Sequence, residues 1–314
     1  MDDYILIDGI IEDIEYIEME EKEYNETMVY DIGVEDNHNF ICENTLVHNC
    51  HNIPSNIIFN VSCMAKNAYY RIGVSATPWR DSDDDILIEA AINIRKPSLS
   101  INASKLISKG KLTPCVINFV KIKNDNIEWQ GSYNKTYNEA ISNNFKRNLK
   151  IIDLTIKELN NNKTILILVN KIEHGNLLKA LLENKLKNNK VNVNHNGKSY
   201  DVSNIEFVSG VDDCDKREAI FKSVKSGFTR ILIGSTIADE GLDLPCLDTL
   251  ILAGSGKVST RAFQRIGRVL RLYPGKTKAI IYDMMDLQST FYKHYLVRKA
   301  LYETEPLWEI NYIN

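Results

Sequence analysis

Along the second half of the chain, two hydrophobic periods alternate. Short, largely apolar runs at 164–169, 205–208, 230–233, 249–252 and 279–282 have the length and β-branched content of buried strands. Between them, apolar positions recur every three or four residues. Ile152, Ile156 and Leu159 share one helical face; Leu177, Leu178, Leu181, Leu182 and Leu186 share another. Asn160-Asn161-Asn162 ends the first helix, Gly227 ends a helix over 213–226, and Ser259 is placed to cap a helix over 259–270. Strands that are apolar throughout, alternating with helices of this length, predict an α/β fold with a parallel sheet covered on both faces. The Asn/Lys-rich stretch 183–198 reads as a loop.

The first half is less regular. The run 68–74 predicts a buried strand leading into Ser75-Ala76-Thr77-Pro78, and 81–85 is an acidic loop or helix start. Residues 1–49 carry short β-prone runs at 4–7, 14–17 and 29–34. Asp36-Asn37 is a turn signal, after which 40–41 and 45–47 supply a returning strand.

Charge sharpens this division. The 314 residues sum to −4, but residues 1–49 hold fifteen acids and one base, a net of −14, leaving 27 acids against 37 bases, a net of +10. Such asymmetry points to two functional units in one chain. No run approaches ~18 apolar residues, so no membrane span is expected, and no signal peptide is visible after Met1. The six cysteines form no C-x-x-C pair, which argues against a zinc site and for a reducing compartment.

Gly254-Ser255-Gly256-Lys257 imitates a phosphate-cradling loop. The full pattern needs a Gly where Ile251 stands and Ser or Thr where Val258 stands, so the match fails. No such loop occurs elsewhere in the chain.

Four segments then fall in order: 73–78 (GVSATP), 166–170 (LILVN), 231–245 (ILIGSTIADEGLDLP) and 264–271 (QRIGRVLR). Together they resemble motifs III to VI of superfamily 2 DExH-box helicases. The resemblance implies a RecA-like second helicase domain over 111–314, preceded by a remnant of a first RecA-like domain over 50–110. It implies that Arg268 and Arg271, three apart on one helix face, neutralise charge on the γ-phosphate of ATP, with Gln264 beside them. Gly241 and Asp243 match the nucleotide side, Ser235 and Thr236 the nucleic-acid backbone, and Ser75 and Thr77 the coupling of hydrolysis to closure. Nucleic acid, DNA in preference to RNA, is the implied partner, and the +10 charge suits it. ATP and Mg²⁺ are the implied cofactors, but the phosphate loop and the Asp-Glu of the D-E-x-H motif are missing. Of that motif Cys50-His51 alone is present, so His51 stands for the last residue of a motif cut in two.

What precedes the cut has a pattern of its own. Residues 29–40 (VYDIGVEDNHNF), followed by Leu46-Val47-His48-Asn49 and Cys50, resemble the last two sequence blocks of inteins. The resemblance implies that residues 1–49 are the small all-β C-terminal half of a split intein. Cys50 then supplies the thiol nucleophile, Asn49 cyclises to break the 49–50 bond, His48 and His38 assist as acid–base groups, and Asp31 tunes the later steps. The implied partner is an N-terminal helicase half ending in Asp-Glu and followed by the other intein half, expected to be basic against the −14 head. Trans-splicing regenerates Asp-Glu-Cys50-His51 and an ATP-dependent helicase or translocase; the chain alone lacks ATPase activity. The implied setting is the cytoplasm of a bacterium or a phage-infected cell. The alternative is a non-splicing, nucleic-acid-binding helicase fragment with an acidic β-module.

Overall fold

Leucines and isoleucines alternate along the central strands, and this parity sorts the core into two layers. We describe a computed structural model of the chain that covers residues 39–42, 45–49, 59–60, 70–74, 85–92, 102–122, 127–188, 192–195, 198–201, 205–235, 244–254 and 259–313. Three strands come first: β1 (Asn39–Cys42), β2 (Thr45–Asn49) and β3 (Tyr70–Val74). Two helices follow, α1 (Asp85–Ile92) and α2 (Ala103–Ser108). The main body then runs β4 (Cys115–Ile122), α3 (Tyr133–Tyr137) continuing into a π-helical turn (Asn138–Ser142), α4 (Phe145–Asn160), β5 (Ile165–Leu168), α5 (Ile172–Asn188), β6 (Asn192–His195), β7 (Lys198–Asp201), β8 (Ile205–Val208), α6 (Cys214–Lys225), β9 (Ile231–Gly234), β10 (Thr249–Leu252), α7 (Ser259–Val269), β11 (Ala279–Asp286), α8 (Ser289–Tyr302) and β12 (Glu309–Ile313).

Seven strands form one sheet in the order β12-β4-β11-β10-β5-β9-β8, with every pairing parallel. Side chains of a strand point alternately to the two faces. Leu166, Leu168, Leu232, Leu250 and Leu252 therefore enter one core cluster, and Ile165, Ile167, Ile231, Ile233 and Ile251 enter the other. The leucine face is covered by α6, α7 and α8 through Val224, Ile266, Val269 and Tyr295. The isoleucine face is covered by α4 and α5 through Ile151, Leu159, Leu178 and Leu182. Each fully buried side chain of this kind stabilises by roughly 1.5–3 kcal/mol, so the two layers dominate the fold.

The expected helix starts and stops occur with small shifts. Asp213 caps α6 by accepting from the Lys216 backbone N–H at 2.7 Å, and Gly227 beyond it takes φ +77°. Asn161 ends α4, and Asn162 adopts φ +61°. Ser259 is the first residue of α7 rather than its cap. Leu177 leaves its expected stripe and is exposed, because the buried face of α5 is the narrower Leu178, Leu182, Leu186 row. The stretch 183–198 is not a loop: α5 runs to Asn188, and β6 pairs antiparallel with β7. The sequence between those strands is Asn196-Gly197, the commonest two-residue hairpin connection.

β11 outlasts its expected end at Tyr282 because its late carboxylates are paired. Asp283 accepts from Arg298 Nε at 2.8 Å, Arg298 Nη2 at 2.6 Å and Tyr302 Oη at 2.9 Å. Asp286 accepts from Arg147 Nε at 2.8 Å. Charge compensation lets a strand containing two acids run through the core.

In the acidic region, β1 and β2 form the expected returning pair, antiparallel with Asn39 opposite His48 and Cys42 opposite Thr45. β2 also pairs in parallel with β3, Asn49 lying opposite Val74. α2 is fastened to the far end of the chain: Glu305 accepts from the Ala103 and Ser104 backbone N–H groups at 3.1 and 2.8 Å and from Ser104 Oγ at 2.7 Å.

Candidate active site at the strand carboxyl ends

Connections leave β5 and β10 in opposite directions. β5 leads through α5 to β8 on one side, and β10 leads through α7 to β11 on the other. Adjacent strands that diverge in this way open a crevice at their carboxyl ends, the usual ligand position in open parallel sheets. Asn170 follows β5 and Gly254 follows β10. They touch across the crevice: Gly254 N–H donates to the Leu168 carbonyl at 2.8 Å, and a Cβ on Gly254 would lie 2.6 Å from Asn170 Oδ1. Only glycine allows that approach. Ser235, buried at the end of β9, borders the same region, and its N–H donates to the Val208 carbonyl at 3.0 Å.

Two cations brace the chain that passes from this crevice to α7 and beyond. Arg147, fully buried on the first turn of α4, donates through Nη1 to the Ala253 carbonyl at 2.6 Å and pairs with Asp286. It thereby ties the exit of β10 to α4 and to β11. At the other end, Lys276 Nζ lies within hydrogen-bonding distance of four carbonyls, those of Pro245, Leu247, Val269 and Arg271. An ammonium has three N–H groups, so at least one bond is shared. Burial pushes the Lys276 ammonium down to about 8. This residue joins the chain after 236–243 to the end of α7.

Of the expected site residues, Gln264 and Arg268 lie on α7, half-buried, while Ile266 and Val269 turn into the core. Arg271 does not continue the helix face. α7 ends at Val269, and Arg271 sits in the turn, its carbonyl accepting from Thr113 Oγ1 at 3.3 Å and from Lys276 at 3.2 Å. His48 and Asn49 are placed as backbone on β2. Asp31, His38, Cys50, His51, Ser75, Thr77, Thr236, Gly241 and Asp243 lie outside the described residues.

Sequence reasoning missed a buried polar chain beside the crevice. Asn148 Nδ2 donates to the Ser142 carbonyl at 2.9 Å, so its Oδ1 faces His174 Nε2, which therefore carries the proton, at 2.9 Å. Burial, aided by the charge of Arg147, holds the His174 imidazole neutral with its pKa lowered to about 3. No local pattern marks these residues. Their one signal is polarity inside apolar periodicity, as with Asp283 and Asp286 in the β11 run.

The fold is RecA-like, of the kind found in helicase C-terminal domains. Residues 146–273 match the helicase conserved C-terminal domain. It is 26% identical over 274 residues to putative helicase 22 of Sulfolobus islandicus filamentous virus, covering 83% of this chain and 45% of that protein. It is also 26% identical over 243 residues to the ATP-dependent DNA helicase uvsW of Enterobacteria phage T4, covering 76% and 44%. The chain thus spans less than half the length of these relatives. Among solved structures, a fragment of a putative HsdR subunit of a type I restriction enzyme from Vibrio vulnificus shares the fold with a TM-score of 0.53 at 17% identity, covering 79% of this chain and 44% of that one. Among the described residues, no helix is long and apolar enough to cross a membrane.

Proposed function

We propose that the chain supplies the second motor domain of an ATP-dependent superfamily 2 helicase or translocase. The observation that carries this is the match over 146–273, which contains the crevice, Ser235, Arg268 of α7 and Arg271 in the turn beyond it. In this reading Arg268 and Arg271 face ATP and Mg²⁺ bound chiefly by a partner half that holds the phosphate loop. Facing arginines of this kind raise phosphoryl-transfer rates by ~10³ or more. Asp243 and Gly241 contribute on the nucleotide side, and Ser235, Thr236, Ser75 and Thr77 couple nucleic acid to hydrolysis. DNA is the preferred substrate, as uvsW is described as a DNA helicase.

We further propose that residues 1–49 are a split-intein half that is lost by trans-splicing at Asn49–Cys50. This rests on the sequence blocks around Asp31, His38, His48 and Asn49, and on the β1–β2 hairpin that ends at the junction. Cys50 takes over the upstream polypeptide, Asn49 cyclises, and the product regains Asp-Glu-Cys50-His51. The non-splicing reading is favoured by a different observation. β2 also pairs in parallel with β3, so residues 45–49 share a three-stranded sheet with a strand from beyond the junction.

Mass spectrometry after mixing with the N-terminal half separates the two. Splicing removes residues 1–49 and adds the partner's mass in the wild type, while Asn49→Ala stops release of the head. An unchanged wild-type mass sinks the splicing proposal. For the motor, ATPase activity of the joined protein should fall by ~10³ or more in Arg268→Ala; full activity of that variant refutes the assignment.

A further inference from the structure

From the loop after β4 to the first residue of α4, residues 127–145 leave three large rings in solvent. Trp129 is 53% exposed, Tyr133 41% and Phe145 64%. Single exposed aromatics are ordinary on a protein surface. Three within seventeen residues, with Lys135 between them and Lys146 directly after Phe145, are not. We propose that this surface is a stacking platform for single-stranded nucleic acid, with bases on Trp129, Tyr133 and Phe145 and phosphates against Lys135, Lys146 and Lys171. The proposal rests on the reading of the chain as a nucleic-acid motor.

The rings stand on a firm base. Tyr133 packs its inner side on Tyr137 and Phe291, with ring centroids 6.0 and 5.8 Å away. The turn carrying Trp129 is tied down where the Gln130 N–H donates to Thr136 Oγ1 at 3.0 Å, and Ser132 caps α3. Phe145 opens α4 directly after its cap Asn144, whose Nδ2 donates to the Ala140 carbonyl at 3.3 Å. The π-helical turn 138–142 links these pieces, and such turns occur frequently at functional sites. Rings held in place lose little freedom when a base stacks on them.

Charge and position select the occupant. Lys135 and Lys146 are exposed. Lys171 donates to Asn138 Oδ1 at 2.6 Å and lies 5.3 Å from the Tyr137 ring centroid. It directly follows Asn170, so the platform is continuous with the crevice between β5 and β10. Protein interfaces also use aromatic rings but are depleted in lysine; here Lys135 and Lys146, with Lys171 added, outweigh Glu128 and Glu139, and rings beside ammonium groups match bases beside phosphates. The platform adds base stacking to the backbone contacts expected from Ser235 and Thr236.

Binding of the full chain to a fluorescein-labelled oligothymidylate, followed by anisotropy, tests this without ATP or splicing. Trp129→Ala and Phe145→Ala should each weaken binding about five- to a hundredfold, the range for one lost base stack, and leave the melting temperature unchanged because both rings are exposed. Lys146→Glu should weaken binding and flatten its salt dependence. Unchanged affinity in both ring variants overturns the proposal. So does an equal loss on duplex DNA, or a wild-type chain that does not bind the oligonucleotide. An inactive joined ATPase would refute the motor reading and leave this measurement intact.

Discussion

Replacing Asp286 with Asn removes one negative charge and almost no volume. Its partner Arg147 is wholly buried and has the Ala253 carbonyl as its other hydrogen-bonded acceptor. Removing one member of a buried ion pair costs ~3–5 kcal/mol, because the remaining charge has neither water nor counter-ion. That is a large share of the ~5–15 kcal/mol that stabilises an ordinary domain, and for a unit of this size it lowers the melting temperature by roughly 10 °C. Replacing both partners, as in Arg147→Met with Asp286→Leu, removes the stranded charge. The double variant should recover most of the loss, apart from about 1–3 kcal/mol for the Ala253 carbonyl left without its donor. Urea unfolding followed by far-ultraviolet circular dichroism on the four proteins of this cycle gives the coupling directly. A loss below about 1 kcal/mol in Asp286→Asn, or a double variant no more stable than the single, would refute the account of β11 as a strand kept in the core by Arg147.

Three further outcomes follow from the same structure. His174 is neutral in the fold with its pKa near 3, well below the value of 6.5 in an unfolded chain. The unfolded state therefore binds more protons between those values, and stability should rise with pH across that window by up to ~1.4 kcal/mol per unit; His174→Gln should flatten the slope seen in urea midpoints, and an unchanged slope contradicts the assignment. Gly254→Ala drives a methyl into Asn170 Oδ1, where a Cβ would sit at 2.6 Å; overpacking there should cost ~1–3 kcal/mol by thermal melt, whereas Gly267→Ala, with nothing within 4 Å of its new Cβ, should be stabilising or neutral. Glu305→Ala leaves the Ala103 and Ser104 N–H groups of α2 without their acceptor; amide exchange at residues 103 and 104 should accelerate about tenfold or more, and unchanged protection would show that Glu305 does not hold the helix.

The crevice was half legible from sequence. The apolar runs announced β5, β8, β9 and β10, because parallel strands buried on both faces cannot hide their composition. Capping chemistry announced α6 and the end of α4, because the signals lie within a few residues of the event they cause. β4, α8 and β12 escaped the reading. β12 is an edge strand with half-exposed side chains, and α8 carries apolar residues around its circumference, so neither shows a clean period. The hairpin β6–β7 is hidden in a stretch whose polar composition resembles a loop and outweighs its Asn-Gly connection. The place of Arg268 on a helix was legible from its spacing. The position of Arg271 was not, because α7 stops where Lys276 and Thr113 capture its last carbonyls.

The sequence alone determined the layered α/β body, the charge reversal near residue 49 and the motif order 73–78, 166–170, 231–245 and 264–271. These depend on composition and on spacing along the chain. Tertiary structure decided which strands diverge to open the crevice, which helix Arg147 braces, and which carbonyls Lys276 gathers. Those contacts join residues far apart in sequence, Arg147 with Asp286 and Ala103 with Glu305. Their energies come from desolvation and charge pairing, which no local pattern records.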